Sequence, residues 1–385
     1  MNLQLHQAGW VAVSPQVWIE GGAVEIIGGR IASVRKPRPG DVAIDHGPGV
    51  IMPALVNAHT HLSLSTLAGK IRCDQRYVEW VKQLIQLRTC VSPEDVTGAA
   101  VQAAKSAKLG GTGTIAEVGP LEPGTTAIAN SDLEGIVFSE FLGNDPAALN
   151  LPDDRSGISY SYAGHALHTT SPEVLRALKS ASTERGSVFS LHLAESEAET
   201  EFLATGQGDW SNLLESRGIE FSGWDLRDER PVARAERLGL LGPGTLAVHL
   251  LDVTPKEIET LCESGVRVCV CPRSNLSLHG KLPNIEAFLT AGLTVALGTD
   301  SLLSSPSLDM FDEMSFVASR YPALEPETIL SMATANGATA LGVPDPGTIS
   351  AGNRARLIYV DLEANSSQIA ASKLVSGEFQ GVQWI

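Results

Sequence analysis

Cysteine is scarce in this chain. Its 385 residues hold five, Cys73, Cys90, Cys262, Cys269 and Cys271, and no two form a C-x-x-C pair. An odd count without that spacing argues against a disulfide framework or a zinc-thiolate site, so buried thiols in a reducing cytoplasm are expected. Long apolar runs are missing too. No stretch reaches the roughly 18 consecutive apolar residues that mark a membrane-spanning helix. The opening "MNLQLHQAGWVAVSP" has no basic segment leading into an apolar core, so no signal peptide is expected. Basic residues are in deficit: 28 Lys and Arg against 44 Asp and Glu leave a net charge of -16. That argues against partners held through nucleic-acid phosphates or an anionic membrane surface, and it is neutral toward a small-molecule substrate. No G-x-G-x-x-G or Walker pattern opens a helix, which disfavours an open-sheet nucleotide binder.

What is present is ordinary globular composition, 43% hydrophobic and 19% charged with 37 Gly and 21 Pro. It suits one barrel-sized domain with a small companion. Residues 1–50 alternate apolar and polar positions between Gly-Gly breaks, and "GTISAGNRARLIYVDLEA" near the other end reads alike. The segments 1–50 and 350–385 are therefore expected to close one small β-sandwich. Across 51–349 strand-like runs alternate with helical segments, three of which open on Ser92-Pro93, Ser171-Pro172 and Thr254-Pro255. A hydroxyl N-cap before Pro at the first helical position is a helix start with a mechanism. About eight such units imply parallel strands, right-handed crossovers and a (β/α)8 TIM barrel. The longer connection 206–237, with Trp210 and Trp224, reads as an extended surface loop anchored by aromatics, with a lid as the alternative.

The chemistry is written at the strand ends. "MPALVNAHTHL" finishes an apolar run on His59 and His61, which share a face because strand residues i and i+2 do. His192 ends "SVFSLHL", with Glu195 three residues on; His249 ends "GTLAVH" and Asp300 ends "LTVALGTD". The C-terminal ends of barrel strands are where active sites sit. So many ionisable groups in apolar surroundings need one another or a metal. Three imidazoles with a carboxylate suit one first-row divalent ion, zinc first, with iron or manganese as alternatives.

The motifs "NAHTHL", "HLAES", the strand-end His249, "CPRSN" and "GTDS" together resemble the amidohydrolase superfamily, in the branch of nucleoside and base deaminases and chlorohydrolases. The resemblance spans essentially the whole chain. It implies that His59, His61, His192 and Asp300 hold the metal, with Glu195, His249 and Asp300 as the catalytic groups around an activated water. Family members with two metals use a carboxylated lysine on the fourth strand; "GIVFSEF" and "GISYSYAGHAL" contain none, which points to one metal.

The family pattern also nominates substrate-binding residues. Glu79 and Trp80 in "YVEW" match a segment whose Glu binds ribose hydroxyls, and His165 in "SYAGHALH" matches a substrate-facing histidine, although Leu167 and His168 replace the usual Pro and Tyr. Arg273 could meet an anion or brace its loop, and Ser301 follows Asp300. The stretches "HLAESEAETEFL" and "VCPRSNLSLHGKLPNIEAFL" are most similar to aminodeoxyfutalosine deaminases of the alternative menaquinone route, with S-adenosylhomocysteine and methylthioadenosine deaminases as the rival. For an anionic substrate tail, Arg155 and Arg273 are candidate cations. A triazine- or pterin-type hydrolase and a non-catalytic scaffold are the readings from other classes. The resemblance further implies a homo-oligomer.

Overall fold

The computed structural model describes residues 3–146 and 149–385; the first two residues expected in the N-terminal sheet lie outside them. Eight parallel strands, Leu55–Thr60, Thr112–Gly119, Glu134–Phe141, Ile158–Ala166, Phe189–Leu193, Thr245–His249, Arg267–Val270 and Val295–Leu297, pair in chain order. Helices lie between them as the (β/α)8 expectation requires, except between Glu134–Phe141 and Ile158–Ala166, whose connection holds no helix among the described residues. Most residues of these strands are buried, which is why they read as near-continuous apolar runs rather than alternating ones. Ser92, Ser171 and Thr254 each cap a helix as expected, their side chains accepting from the backbone N–H of Asp95, Val174 and Glu257.

The sheet closes at the ends that matter. Asp300 N donates to His59 O at 3.0 Å, and Thr60 forms a parallel bridge with Asp300. Below that, the fully buried Asn57 donates through Nδ2 to Thr299 Oγ1 at 2.7 Å and accepts from Thr299 N at 3.1 Å. Gly298 makes the approach feasible: a Cβ there would lie 2.8 Å from His59 Cβ and 2.9 Å from Cys269 Sγ.

The small domain is a sandwich of a four-stranded and a five-stranded sheet. Val50–Pro53 pairs antiparallel with Leu357–Asp361, so the two chain ends share one sheet. Val11, Val24, Ile26, Ile51, Leu357 and Tyr359 fill the space between the sheets. Arg354 and Arg356 both pair with Glu134 at the start of the third barrel strand, tying the domain to the barrel.

Two expectations need correction. The 206–237 connection is not an extended loop: it folds into helices Asp209–Ser216 and Pro231–Arg237. Its two tryptophans are buried as anchors. Nor are all thiols buried, since Cys90 is exposed while Cys269 and Cys271 are in the core. Among the described residues no helix is long and apolar enough to cross a membrane.

The closure predicts a test. Asn57→Ala leaves the Thr299 N–H buried without an acceptor, a loss of about 2 kcal/mol. Urea unfolding should show the midpoint falling with an unchanged m-value, and an unchanged midpoint would refute this account of the closure.

Candidate active site

Three of the strand ends turn abruptly. Ala194, His249, Leu250 and Asp300 have φ of 52°, 78°, 51° and 60°, left-handed conformations that cost a non-glycine residue roughly 1–3 kcal/mol each. The turns carry Glu195, His249 and Asp300 away from the strand direction and into a common space. There His59 Nε2 lies 3.1 Å from His61 Nε2 and 3.2 Å from His192 Nε2, and Asp300 Oδ1 lies 3.7 Å from His61 Nε2. The structure therefore brings together the four residues expected to surround a metal.

These residues fit a divalent cation by their chemistry. His61 Nδ1 donates to Val118 O at 2.9 Å, leaving the Nε2 lone pair aimed at the cluster. Burial, then the neighbouring imidazoles, holds His59 far below the usual imidazole range; burial, then His165 and His249, takes His192 down to about 3. At His61 the lowering by burial is outweighed by Asp300, Glu140 and Glu117, and its pKa is raised. Asp300 Oδ2 accepts from Ser274 Oγ at 2.5 Å and Ser304 Oγ at 3.2 Å, which leaves Oδ1 for the cluster. Ring nitrogens converging at 3.1–3.2 Å can offer lone pairs where a cation would sit.

Glu195 lies beside this cluster, fully inside the protein. Tyr77 OH donates to both its oxygens at 3.1 Å, His279 Nε2 reaches Oε1 at 3.1 Å, and His249 Nε2 is 3.8 Å from Oε1. Burial alone would raise its pKa, but His249 and His279 outweigh it and hold Glu195 well below the usual carboxylate range. Asn275 Nδ2 lies 3.0 Å from His249 Nδ1; donating there, it puts the proton of His249 on Nε2, the nitrogen facing Glu195. Glu199 accepts from the backbone N of Glu195 at 2.8 Å, with His168 Nδ1 3.7 Å from its other oxygen. His168 is thus a buried support for the Glu195 turn. Of the nine histidines, all but His6 and His46 gather at this end of the barrel.

A cavity of about 480 Å³ opens onto these groups, a size typical of small-molecule sites. Trp80, His165 and Ser301 line it, as expected. His165 accepts or donates through Nδ1 with Thr169 Oγ1 at 2.6 Å, and burial takes its pKa down to about 3. Apolar walls come from Val81, Leu84 and Ile85 on helix Tyr77–Arg88 and from Leu213 and Leu214 on helix Asp209–Ser216.

Three nominated residues are elsewhere. On helix Tyr77–Arg88 the cavity takes Tyr77, Trp80, Val81, Leu84, Ile85 and Arg88, the i, i+3, i+4, i+7, i+8 stripe of one face. Glu79 falls off that stripe, is half exposed, and pairs with Lys82 at 2.7 Å. Arg273 does not line the cavity: its guanidinium donates to the buried Glu313 at 2.6 Å and to Ser307 Oγ and O at 3.0 and 2.8 Å. Bracing is its role. Arg155 bridges to Ile158 at the start of the fourth strand, the opposite end of the barrel from the site. Sequence reasoning missed Tyr77, Glu140, Ser274, Asn275 and His279. The helical stripe could have found Tyr77; nothing local distinguishes His279.

A model of the amidohydrolase family matches residues 50–382. The chain belongs to the amidohydrolase family. It is 31% identical over 379 residues to a 5-methylthioadenosine/S-adenosylhomocysteine deaminase of Nitratidesulfovibrio vulgaris, across 91% of this chain and 81% of that one. It is 30% identical over 359 residues to an aminodeoxyfutalosine deaminase of Deinococcus radiodurans, across 84% and 82%. Among solved structures, an adenosine deaminase from Xanthomonas campestris with bound zinc superposes with a TM-score of 0.80 at 27% identity, across 99% of this chain and 91% of that one. This amidohydrolase is accordingly a hydrolytic enzyme acting on C–N bonds, and its histidine cluster supports a bound metal ion.

The corrected placements separate by experiment. Glu79→Gln should leave kcat/KM within about twofold, because a solvated charge off the cavity face contributes little. Arg273→Met should lower unfolding free energy by about 3 kcal/mol, since it leaves Glu313 buried and unpaired. A KM effect for Glu79→Gln, or unchanged stability for Arg273→Met, would reverse the assignments.

Proposed function

We propose that this amidohydrolase deaminates an adenine-type nucleoside, replacing the 6-amino group by oxygen with release of ammonia. His59, His61, His192 and Asp300 would hold one divalent ion, zinc by preference for this nitrogen-rich set. The observation that carries the reading is Glu195, ionised, clamped by Tyr77 and His279, and set beside His249 at the edge of the histidine cluster. When bound, the ion acts as a Lewis acid that brings water to hydroxide near neutral pH. Glu195, as a carboxylate, takes a proton and hands it to the ring nitrogen next to the amino-bearing carbon. His249, protonated on Nε2, donates toward the charge that develops as that carbon becomes tetrahedral. Asp300, staying beside the ion, accepts the second proton and passes it to the departing amine. A chloride leaving group would need no such delivery, so a proton-handling Glu favours an amine.

The cavity also supports a choice of 5′ substituent. Arg88 and Arg217 line it on the two apolar helical segments, and neither guanidinium has a partner among the described residues. Apolar walls ending in free cations suit a tail that is apolar and ends in a carboxylate. That favours the benzoate-bearing 6-amino-6-deoxyfutalosine of menaquinone biosynthesis, with S-adenosylhomocysteine next and methylthioadenosine, which has no anion, last.

Ammonia release from these three and from adenosine tests the reading. The zinc-loaded enzyme should prefer the benzoate-bearing substrate by about tenfold or more, and chelation should abolish turnover until zinc is restored. Replacing both arginines by Met should raise KM for carboxylate-bearing substrates roughly 10- to 100-fold while sparing methylthioadenosine, the loss expected of charge-assisted hydrogen bonds. Glu195→Gln should lower kcat by about 10²- to 10⁴-fold. Silence on every adenine nucleoside with metal bound would refute the proposal.

A further inference from the structure

The end of the barrel away from the active site holds a second cavity, of about 770 Å³, which shares no lining residue with the first. Its wall comes from the starts of strands rather than their ends. Ser159 lies at the start of Ile158–Ala166, Val188 just before Phe189–Leu193, Gly244 just before Thr245–His249, and Arg267 opens Arg267–Val270. The C-terminal half of helix Pro172–Arg185 and the turn after helix Ala335–Leu341 complete it. This end of a barrel ordinarily serves stability.

The charges around this cavity do not balance. Three cations line it, Lys179, Arg185 and Arg267, against one carboxylate, Asp154. Arg185 takes that carboxylate at 2.7 Å. Neither Lys179 nor Arg267 has an ion pair with any described residue. Lys179 Nζ donates to Thr245 Oγ1 at 2.8 Å and Arg267 Nη1 to Ala340 O at 3.3 Å, contacts that leave most of their donors unused. Both side chains are half-buried. Burial lowers both pKa values, that of Lys179 further through the charge of Arg267. Two half-buried like charges facing one cavity are unfavourable unless an anion joins them.

The lining also describes the anion. A phosphate monoester concentrates close to two negative charges and three acceptor oxygens on one centre, which matches two cations with donors to spare. Bare backbone flanks each cation: a Cβ on Gly244 would lie 3.6 Å from Lys179 Nζ, and one on Gly342 3.1 Å from Arg267 Nη1. The remaining space exceeds what a free phosphate fills, and Val188, Leu241, Pro243, Leu341 and Val343 give it apolar walls. We propose that this cavity binds a small phosphate monoester with an apolar body, its phosphate held between Lys179 and Arg267. The ligand is distinct from the substrate, because the metal cluster lies at the other end of the strands.

Calorimetric titration of the zinc-loaded protein with phenyl phosphate tests this, and needs no turnover. One molecule should bind with a Kd below about 1 mM, and inorganic phosphate should bind at least about fivefold more weakly for want of the apolar body. Lys179→Met and Arg267→Met should each weaken binding by about tenfold or more, the loss expected of a charge-assisted hydrogen bond. Lys179→Arg, which keeps the charge, should cost less than about threefold, and Arg88→Met with Arg217→Met in the active cavity less than about twofold. Without ligand, the two Met variants should melt within about 4 °C of wild type, since cations without a carboxylate partner hold little structure. A Kd above about 1 mM would overturn the proposal. So would binding indifferent to Lys179→Met and Arg267→Met, as expected of an ester seated in the active cavity, or a larger fall in melting temperature, which would make the two cations structural. Equal affinity for inorganic phosphate would overturn the ester and assign the cavity to free phosphate.

Discussion

One contact determines the geometry of the site: the backbone hydrogen bond from Asp300 N to His59 O that closes the barrel. The first and last strands meet there, and each carries part of the charged cluster. Without closure, His59 and His61 would sit at one edge of an open sheet and Asp300 at the other. Asn57 and Thr299 reinforce the seam one layer down, and Gly298 supplies the space that lets the two strands approach. The side chains above the seam are thus held by backbone whose hydrogen bonds are buried, and preorganisation of this kind is what electrostatic catalysis requires.

Closure alone would leave the side chains pointing along the strands. The left-handed residues Ala194, His249, Leu250 and Asp300 supply the change of direction. Their strain is tolerated because the surrounding contacts over-determine them: Leu250 N donates to Leu193 O, Asp252 N to Ala194 O, and Asp300 N to His59 O. Strain is therefore concentrated on the three turns that aim Glu195, His249 and Asp300 and is balanced by backbone pairing between neighbouring turns.

The same reasoning explains what was legible in the sequence. An apolar strand ending in His, Glu or Asp is a local signal, so His59, His61, His192, Glu195, His249 and Asp300 could be read before any fold was known, and the parallel order of strands brought them together. Cap residues and the buried tryptophans were local signals too. Glu79 misled because a motif match ignored helical phase: two positions from Tyr77 is the far side of the helix, whereas Trp80, one residue later, returns to the cavity face. His279 and Asn275 could not be read, because their partners Glu195 and His249 lie 84 and 26 residues away and nothing in their own neighbourhood announces the contact.

Arg273 shows the limit from the other direction. Its motif, "CPRSN", sits at the mouth of the seventh strand, where an arginine looks like an anion receptor. The chain instead buries Glu313 beneath it, and a buried carboxylate paired with a guanidinium at 2.6 Å commits that charge to structure. In a chain with a net charge of -16, a cation available to a substrate must have escaped the surplus of carboxylates. Arg88 and Arg217 have done so at the cavity wall, with no partner among the described residues. Groups left unpaired on the cavity wall are its capacity for recognition: the catalytic carboxylates already accept from Tyr77, Ser274 and Ser304, and selectivity falls to groups that are not so engaged.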